Sequence, residues 1–131
     1  EAAVADVLAK LYAAYRRFEQ LGLRLAAGCE KAFAAAGAPG GAVALGARGS
    51  VVFGPLPVRD AATFEAARRS ELERLLWLYA ANRGLYLTPA RPQNWAISVA
   101  HGEAEVDHYA AVLGELLAEL GPALDGPGRS L

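Results

Sequence analysis

The stretch Asn82–Leu120, NRGLYLTPARPQNWAISVAHGEAEVDHYAAVLGELLAEL, decides the fold. Its first residues close a helix, because Gly84 after Arg83 supplies the left-handed backbone on which helices stop. Leu85–Leu87 then reads as a short strand. TPARPQN, Thr88–Asn94, is a loop, since Pro89 and Pro92 remove ladder donors. Trp95–Val99 is a second strand, predicted to pair antiparallel with Leu85–Leu87. A closing helix begins near Glu103, where Glu103, Glu105 and Asp107 complement the positive end of its dipole. Val106, Tyr109 or Ala110, Leu113, Leu117 and Leu120 form its apolar face. Gly121-Pro122 ends it, and Leu124–Leu131 reads as a loose tail.

Upstream, Glu1 to Ala36 is predicted helical, with an apolar stripe at Leu8, Leu11, Tyr15, Phe18, Leu21, Leu25, Cys29 and Phe33. Gly22 and Gly28 weaken its middle by roughly 1 kcal/mol each relative to Ala, leaving one helix or two with a bend as alternatives. GAPGG, Gly37–Gly41, stops it. AVAL and SVVF follow, separated by GARG; a hairpin and a single bulged strand both fit. Asp60 is a helix N-cap, and one helix is predicted from Ala61 to Arg83 with Phe64, Leu72, Leu75, Leu76 and Tyr79 inward. The helices containing Leu75 and Leu113 are expected on one face of the sheet. The fold class is therefore α+β: a two-layer sandwich of a small antiparallel sheet with helices on one face, preceded by a long helix. The division expected is 1–36 as a linking helical segment, 37–121 as the α+β domain and 122–131 as tail.

Composition narrows the function. The 131 residues suit one domain, and 54% are hydrophobic, which excludes a disordered tail. A net charge of -1 argues against a general nucleic-acid binder. No apolar run approaches the ~20 residues of a membrane span. The single Cys29 cannot form an internal disulfide, which fits a reducing, cytoplasmic compartment. The absence of any Met reads as processing, trimming or an excised fragment.

Motifs for chemistry are sparse. No phosphate-cradling glycine loop occurs, because GAPGG has neither a strand before it nor a helix directly after it. His101 and His108 do not have zinc-ligand spacing; His101 is expected to cap a strand end and His108 to lie on a solvated helix face. Cys29, on the apolar stripe, reads as a small buried hydrophobe. ARRSELER, Ala67–Arg74, reads as a solvated face with mixed charge pairs. No catalytic, cofactor-binding or metal-ligating residue is expected.

Four segments, taken in order, resemble the C-terminal small domain of class III pyridoxal-phosphate aminotransferases, most closely the glutamate-1-semialdehyde aminomutase branch. They are AYRRFEQLGLRLAAGCEKAF, GAVALGARGSVVFG, PVRDAATFEAARRSELERLLWLYAANRGLYL and ISVAHGEAEVD. The resemblance implies the small domain of a fold-type I enzyme that covers the substrate end of the active site. It also implies pyridoxal phosphate held by a lysine on a preceding large domain, a homodimer, and a small amino or keto substrate. Lys10 and Lys31 both fall outside any family motif for the cofactor lysine, so the chain alone is expected to carry no cofactor and to be silent.

Through that resemblance the loop from Thr88 to Trp95 is the substrate-facing segment. Gln93 stands where the aminomutase branch has glutamate, and Asn94 aligns with an arginine that grips substrate carboxylates in other class III transaminases. Gln93 lacks the charge of glutamate, and Asn94 cannot make the bidentate contact of arginine. Arg91 is near enough in sequence to substitute. Gln93, Asn94 and Arg91 are therefore the expected substrate-binding residues, with ordinary loop polars as the alternative. A second functional reading is a freestanding, non-catalytic binding or dimerisation module of the same fold.

Overall fold

The structure, a computed structural model, describes residues 1–89 and 93–124, without the side chain of Pro122. Helix α1 spans Ala2–Ala36 without interruption. Gly22 and Gly28 do not divide it into two helices; they let neighbours come close. A Cβ on Gly22 would strike the Gly46 carbonyl of the hairpin turn, and one on Gly28 would lie 2.8 Å from the Ala110 Cβ. Gly37 closes the helix in the left-handed region at φ 62°.

The hairpin is the outcome of the two readings for AVAL and SVVF. Strand β1, Gly41–Leu45, pairs antiparallel with β2, Arg48–Val52, from Gly41 opposite Val52 to Leu45 opposite Arg48. Two residues turn the chain: Gly46 has φ 58° and Ala47 a negative φ, as a type II′ turn requires. Ala42, Ala44 and Val51 face the core, while Val43 and Leu45 are exposed on the other side.

The helix predicted from Ala61 to Arg83 is two. Helix α2 is Ala61–Ala67 and α3 is Ser70–Ala81. Asp60 caps α2, accepting from Thr63 N–H at 2.8 Å while Thr63 Oγ1 accepts from Asp60 N–H at 3.0 Å. The chain leaves helical geometry at Arg68 and Arg69, and the mixed-charge run is not simply solvated: Arg68 and Glu73 form a buried ion pair. Leu75 is exposed rather than inward, because the break resets the phase of the helix.

Leu85–Leu87 is not a strand. Gly84, at φ 75°, lets Leu85 N–H reach back to the Ala80 carbonyl at 3.0 Å, and Trp77 Nε1 donates to the Leu87 carbonyl at 3.1 Å. The partner expected of it goes elsewhere. Strand β3, Trp95–Ala96, pairs antiparallel with β2, giving the order β1-β2-β3. Ile97 N–H extends this edge with a 2.8 Å bond to the Ala47 carbonyl.

Helix α4, Glu103–Leu120, runs parallel to the second half of α1: Arg24 meets Asp107, Gly28 meets Ala110, and Ala32 meets Gly114. Tyr109, not Ala110, is the fully buried choice, and Val112 and Leu116 join Val106, Leu113 and Leu117 inside. Leu21, Leu25, Cys29 and Phe33 meet that face, with Phe53, Leu76, Trp95 and Ile97 completing one core. The fold is the α+β class, with helices and a three-stranded antiparallel sheet. Residues Gly121–Leu124 form a 3₁₀ turn, and Leu124 packs into the core instead of starting a tail; residues 125–131 lie outside the described residues.

Candidate functional site

The segment that joins α3 to β3 is placed by hydrogen bonds at both ends. Thr88 Oγ1 donates to the Asn94 carbonyl at 3.2 Å. Gln93 Nε2 donates to the Thr88 carbonyl at 3.0 Å. Ser50 Oγ, on the face of β2 opposite Val51, donates to the Gln93 carbonyl, and it also lies 3.2 Å from the Val51 carbonyl. Gln93 is 5% exposed, and two of these three bonds involve it. Asn94 is half-buried and reaches the wall of the adjoining groove. Arg91, with Ala90 and Pro92, lies outside the described residues.

That groove, a cavity of about 230 Å³, runs between α1, the 85–88 segment, β3 and the start of α4. Leu25, Leu87 and Ile97 make its walls apolar, and Thr88, Asn94 and His101 bring polar atoms to it. Trp95 lies across Gly49, where any Cβ would meet the indole, and turns its ring edge-on to Tyr109 at 5.8 Å.

The start of α4 is built by His101 and Glu105. His101 Nδ1 accepts from Ser98 N–H at 2.9 Å, so the neutral ring carries its proton on Nε2. That is the strand-end cap expected of it. The Glu105 carboxylate accepts from Gly102 N–H at 2.7 Å, half of a capping box, since glycine has no side chain to return the bond. This backbone bond holds the Glu105 carboxyl below its usual range. Asp107 is likewise lowered, by the Arg24 guanidinium that donates to both its oxygens at 2.8 Å. His108 is exposed, as expected, and Nε2–H donates to the Arg83 carbonyl at 3.0 Å, tying α4 to the end of α3. Arg83 stacks 3.4 Å above Tyr79 and pairs with Glu115 at 2.9 Å.

Sequence reasoning missed the fixing roles of Ser50 and Thr88. Ser50 reads as a strand residue and lies 43 positions from its partner, so no local spacing announces it. It also missed Arg24–Asp107, which spans 83 positions. Cys29 is buried and its thiol is pushed up to about 12 by desolvation, as a structural hydrophobe would be. Neither lysine fits an aldehyde cofactor: Lys10 is paired with Asp6 at 2.7 Å on an exposed surface, and Lys31 is also exposed on α1.

No family model matches the chain. Individual proteins do match, and their sequence and fold place the chain with the class III aminotransferases, in the α+β small-domain arrangement described above. Within that class it is related to glutamate-1-semialdehyde 2,1-aminomutase. It is 33% identical to the enzyme of Thermus thermophilus over 79% of this chain and 24% of that protein. It is 34% identical to glutamate-1-semialdehyde 2,1-aminomutase 1 of Lachnoclostridium phytofermentans over 70% of this chain and 21% of that protein. The solved aminomutase of Pseudomonas aeruginosa PAO1 superposes with a TM-score of 0.75 at 30% identity, over 82% of this chain and 23% of that one. A β-phenylalanine aminotransferase of Variovorax paradoxus superposes with a TM-score of 0.68 at 26% identity, over 86% of this chain and 24% of that one. The chain thus spans about a quarter of the length of the relatives it matches.

Proposed function

We propose that this chain acts as the small domain of a class III aminotransferase or aminomutase, covering the substrate end of an active site whose cofactor sits on a separate, larger domain. The carrying observation is the TM-score of 0.75 at 30% identity to a glutamate-1-semialdehyde aminomutase over 82% of this chain. A variant of that neighbour is solved in complex with PMP, which supports a pyridoxal-type cofactor for the whole enzyme. Bound there, such a cofactor supplies an electron sink for carbanion chemistry. The residues of this chain do not suit holding it, so their part is to shape and close the substrate end. Gln93, Asn94 and Arg91 belong to the segment assigned that task, and the substrate is a small amino or keto compound.

The large domain is the partner for the exposed apolar residues of early α1: Val4, Val7, Leu8, Leu11, Tyr12 and Tyr15. Exposed apolar patches of this kind mark interfaces. The whole enzyme is proposed to be a cytoplasmic homodimer. No helix among the described residues is long and apolar enough to cross a membrane.

The test is expression of the uninterrupted coding sequence beside the isolated chain, each with pyridoxal phosphate. The longer protein is expected to show aldimine absorbance and amino transfer, and the chain alone neither. A stoichiometric, borohydride-trapped adduct at Lys10 or Lys31 would overturn the division of labour. The second reading, a freestanding binding module, predicts a coding sequence with no cofactor domain.

A further inference from the structure

Gln93 is placed differently from a ligand-gripping side chain. It is 5% exposed, and its Nε2 already donates to the Thr88 carbonyl at 3.0 Å. A carbonyl only accepts, so this contact fixes which end of the amide faces Thr88. The main-chain carbonyl of Gln93 receives the Ser50 hydroxyl, and Thr88 Oγ1 donates onward to the Asn94 carbonyl at 3.2 Å. The two ends of segment 88–94 are thereby tied to each other and to the middle strand.

We infer that Gln93 is a positioning residue, a clasp that fixes this loop through a side-chain hydrogen-bond donor, and not a group that grips substrate. Turning the amide outward would leave the Thr88 carbonyl without this donor and expose a side chain that is 5% exposed in the fold. The requirement is for a donor rather than for a shape. Glutamate has nearly the same shape, but its carboxylate would set an acceptor against an acceptor. It replaces glutamine only as a carboxylic acid, whose O–H donates. Burial and the facing carbonyl both favour that neutral form and raise its pKa above the ordinary value of about 4.3. Position 93 therefore discriminates by protonation state. The clasp is a property of this chain; only its effect on catalysis rests on the proposed function.

The experiment is amide exchange on the full chain, corrected for intrinsic rates, for wild type, Gln93→Glu, Gln93→Ala and Ser50→Ala. Exchange is followed at Thr88, Gln93 and Asn94, with Leu113 in α4 as the reference, at about pH 4.5 and about pH 8, either side of a raised glutamate pKa. Gln93→Glu is expected to match wild type at the lower pH and to exchange about tenfold faster in the loop at the higher one, equivalent to about 1.4 kcal/mol. Gln93→Ala should be faster at both, Ser50→Ala should loosen Gln93 alone, and Leu113 should not change. Equal protection of Gln93→Glu at both pH values, or parallel loosening of Leu113, overturns the clasp. Should these variants not fold, wild type decides: NMR must show a slowly exchanging Nε2 proton of Gln93 coupled to the Thr88 carbonyl carbon, and its absence overturns the clasp too. In the longer enzyme, Gln93→Glu should lower kcat/KM with the same pH dependence. A loop that responds while kinetics do not would remove the substrate-end reading and leave the clasp standing.

Discussion

Arg68 donates through Nε and Nη2 to the two oxygens of Glu73, each at 3.0 Å, across the break between α2 and α3. The Glu73 side chain is 4% exposed and that of Arg68 17%. Glu65 also accepts from Arg68, at 3.1 Å, so one guanidinium joins the end of α2 to the first turn of α3. Both carboxylates hold the guanidinium further above its usual range, Glu73 most.

Glu73→Ala should therefore destabilise the chain more than an ordinary helix-surface change. Breaking a buried pair costs about 3–5 kcal/mol; Glu65 remains and Arg68 is partly wet, so about 2–3 kcal/mol is expected here. Urea unfolding measures it. A loss near that of a surface substitution would mean that Arg68 reaches water instead.

Gly22→Ala should reverse the usual sign. In an unobstructed helix the change stabilises by up to about 1 kcal/mol. Here the added methyl strikes the Gly46 carbonyl, backbone of the hairpin turn with nowhere to retreat. A net loss of about 1–3 kcal/mol is expected, in the range of overpacked cores. A thermal midpoint at or above that of the parent would refute the close approach.

Acid should unfold the chain through specific carboxylates. The caps at Asp60 and Glu105, the Arg69 contact at Glu71 and the Arg24 contact at Asp107 all depress the folded-state pKa. A depressed carboxylate contributes stability that is complete above its unfolded value, about 3.9 for Asp and 4.3 for Glu, and is lost as pH falls through the folded value. Stability should accordingly be flat near neutrality and decline below about pH 4. Asp60→Asn and Asp107→Asn should each flatten that decline in urea titrations; an unchanged slope in both would contradict the assignment.

Cys29 should resist thiol reagents in the native state. Its pKa, pushed up to about 12 by burial, leaves little thiolate at neutral pH. Because this folded value is raised above the unfolded one of about 8.5, its contribution to stability is complete below that pH and is lost as pH rises towards the folded value. Labelling at pH ~8 should track global unfolding as urea rises. Fast labelling without denaturant would show that the core opens around α1.

The fold class was legible because long amphipathic periods carry it. The stripe from Leu21 to Phe33 and the face from Val106 to Leu117 are where periodicity placed them. What escaped was set by contacts distant in sequence or by local breaks. Trp95–Ala96 could have paired with any strand; the hairpin offered β2 with an open edge, and Leu85–Leu87 was drawn instead towards Trp77. The break at Arg68 follows from a charge pair five residues apart, a spacing that a continuous helix does not bring together. At the loop, the family resemblance pointed to Gln93 and Asn94, yet only the path of the chain revealed that one faces inward while the other reaches the groove.

Helix α1 is geometrically continuous over 35 residues, about 52 Å at 1.5 Å per residue. Its cooperativity is not uniform. From Leu21 onward it shares the core, whereas the turns before Phe18 rest on their own backbone bonds and the exposed Asp6–Lys10 pair. A helix of that length without tertiary support is marginal in water. Its early turns should then exchange their amides orders of magnitude faster than those around Cys29, so that one element holds both weakly and strongly protected hydrogens. Order in those early turns becomes a gauge of contact: whatever covers Leu8 and Leu11 should slow exchange there first, with the core already at its limit.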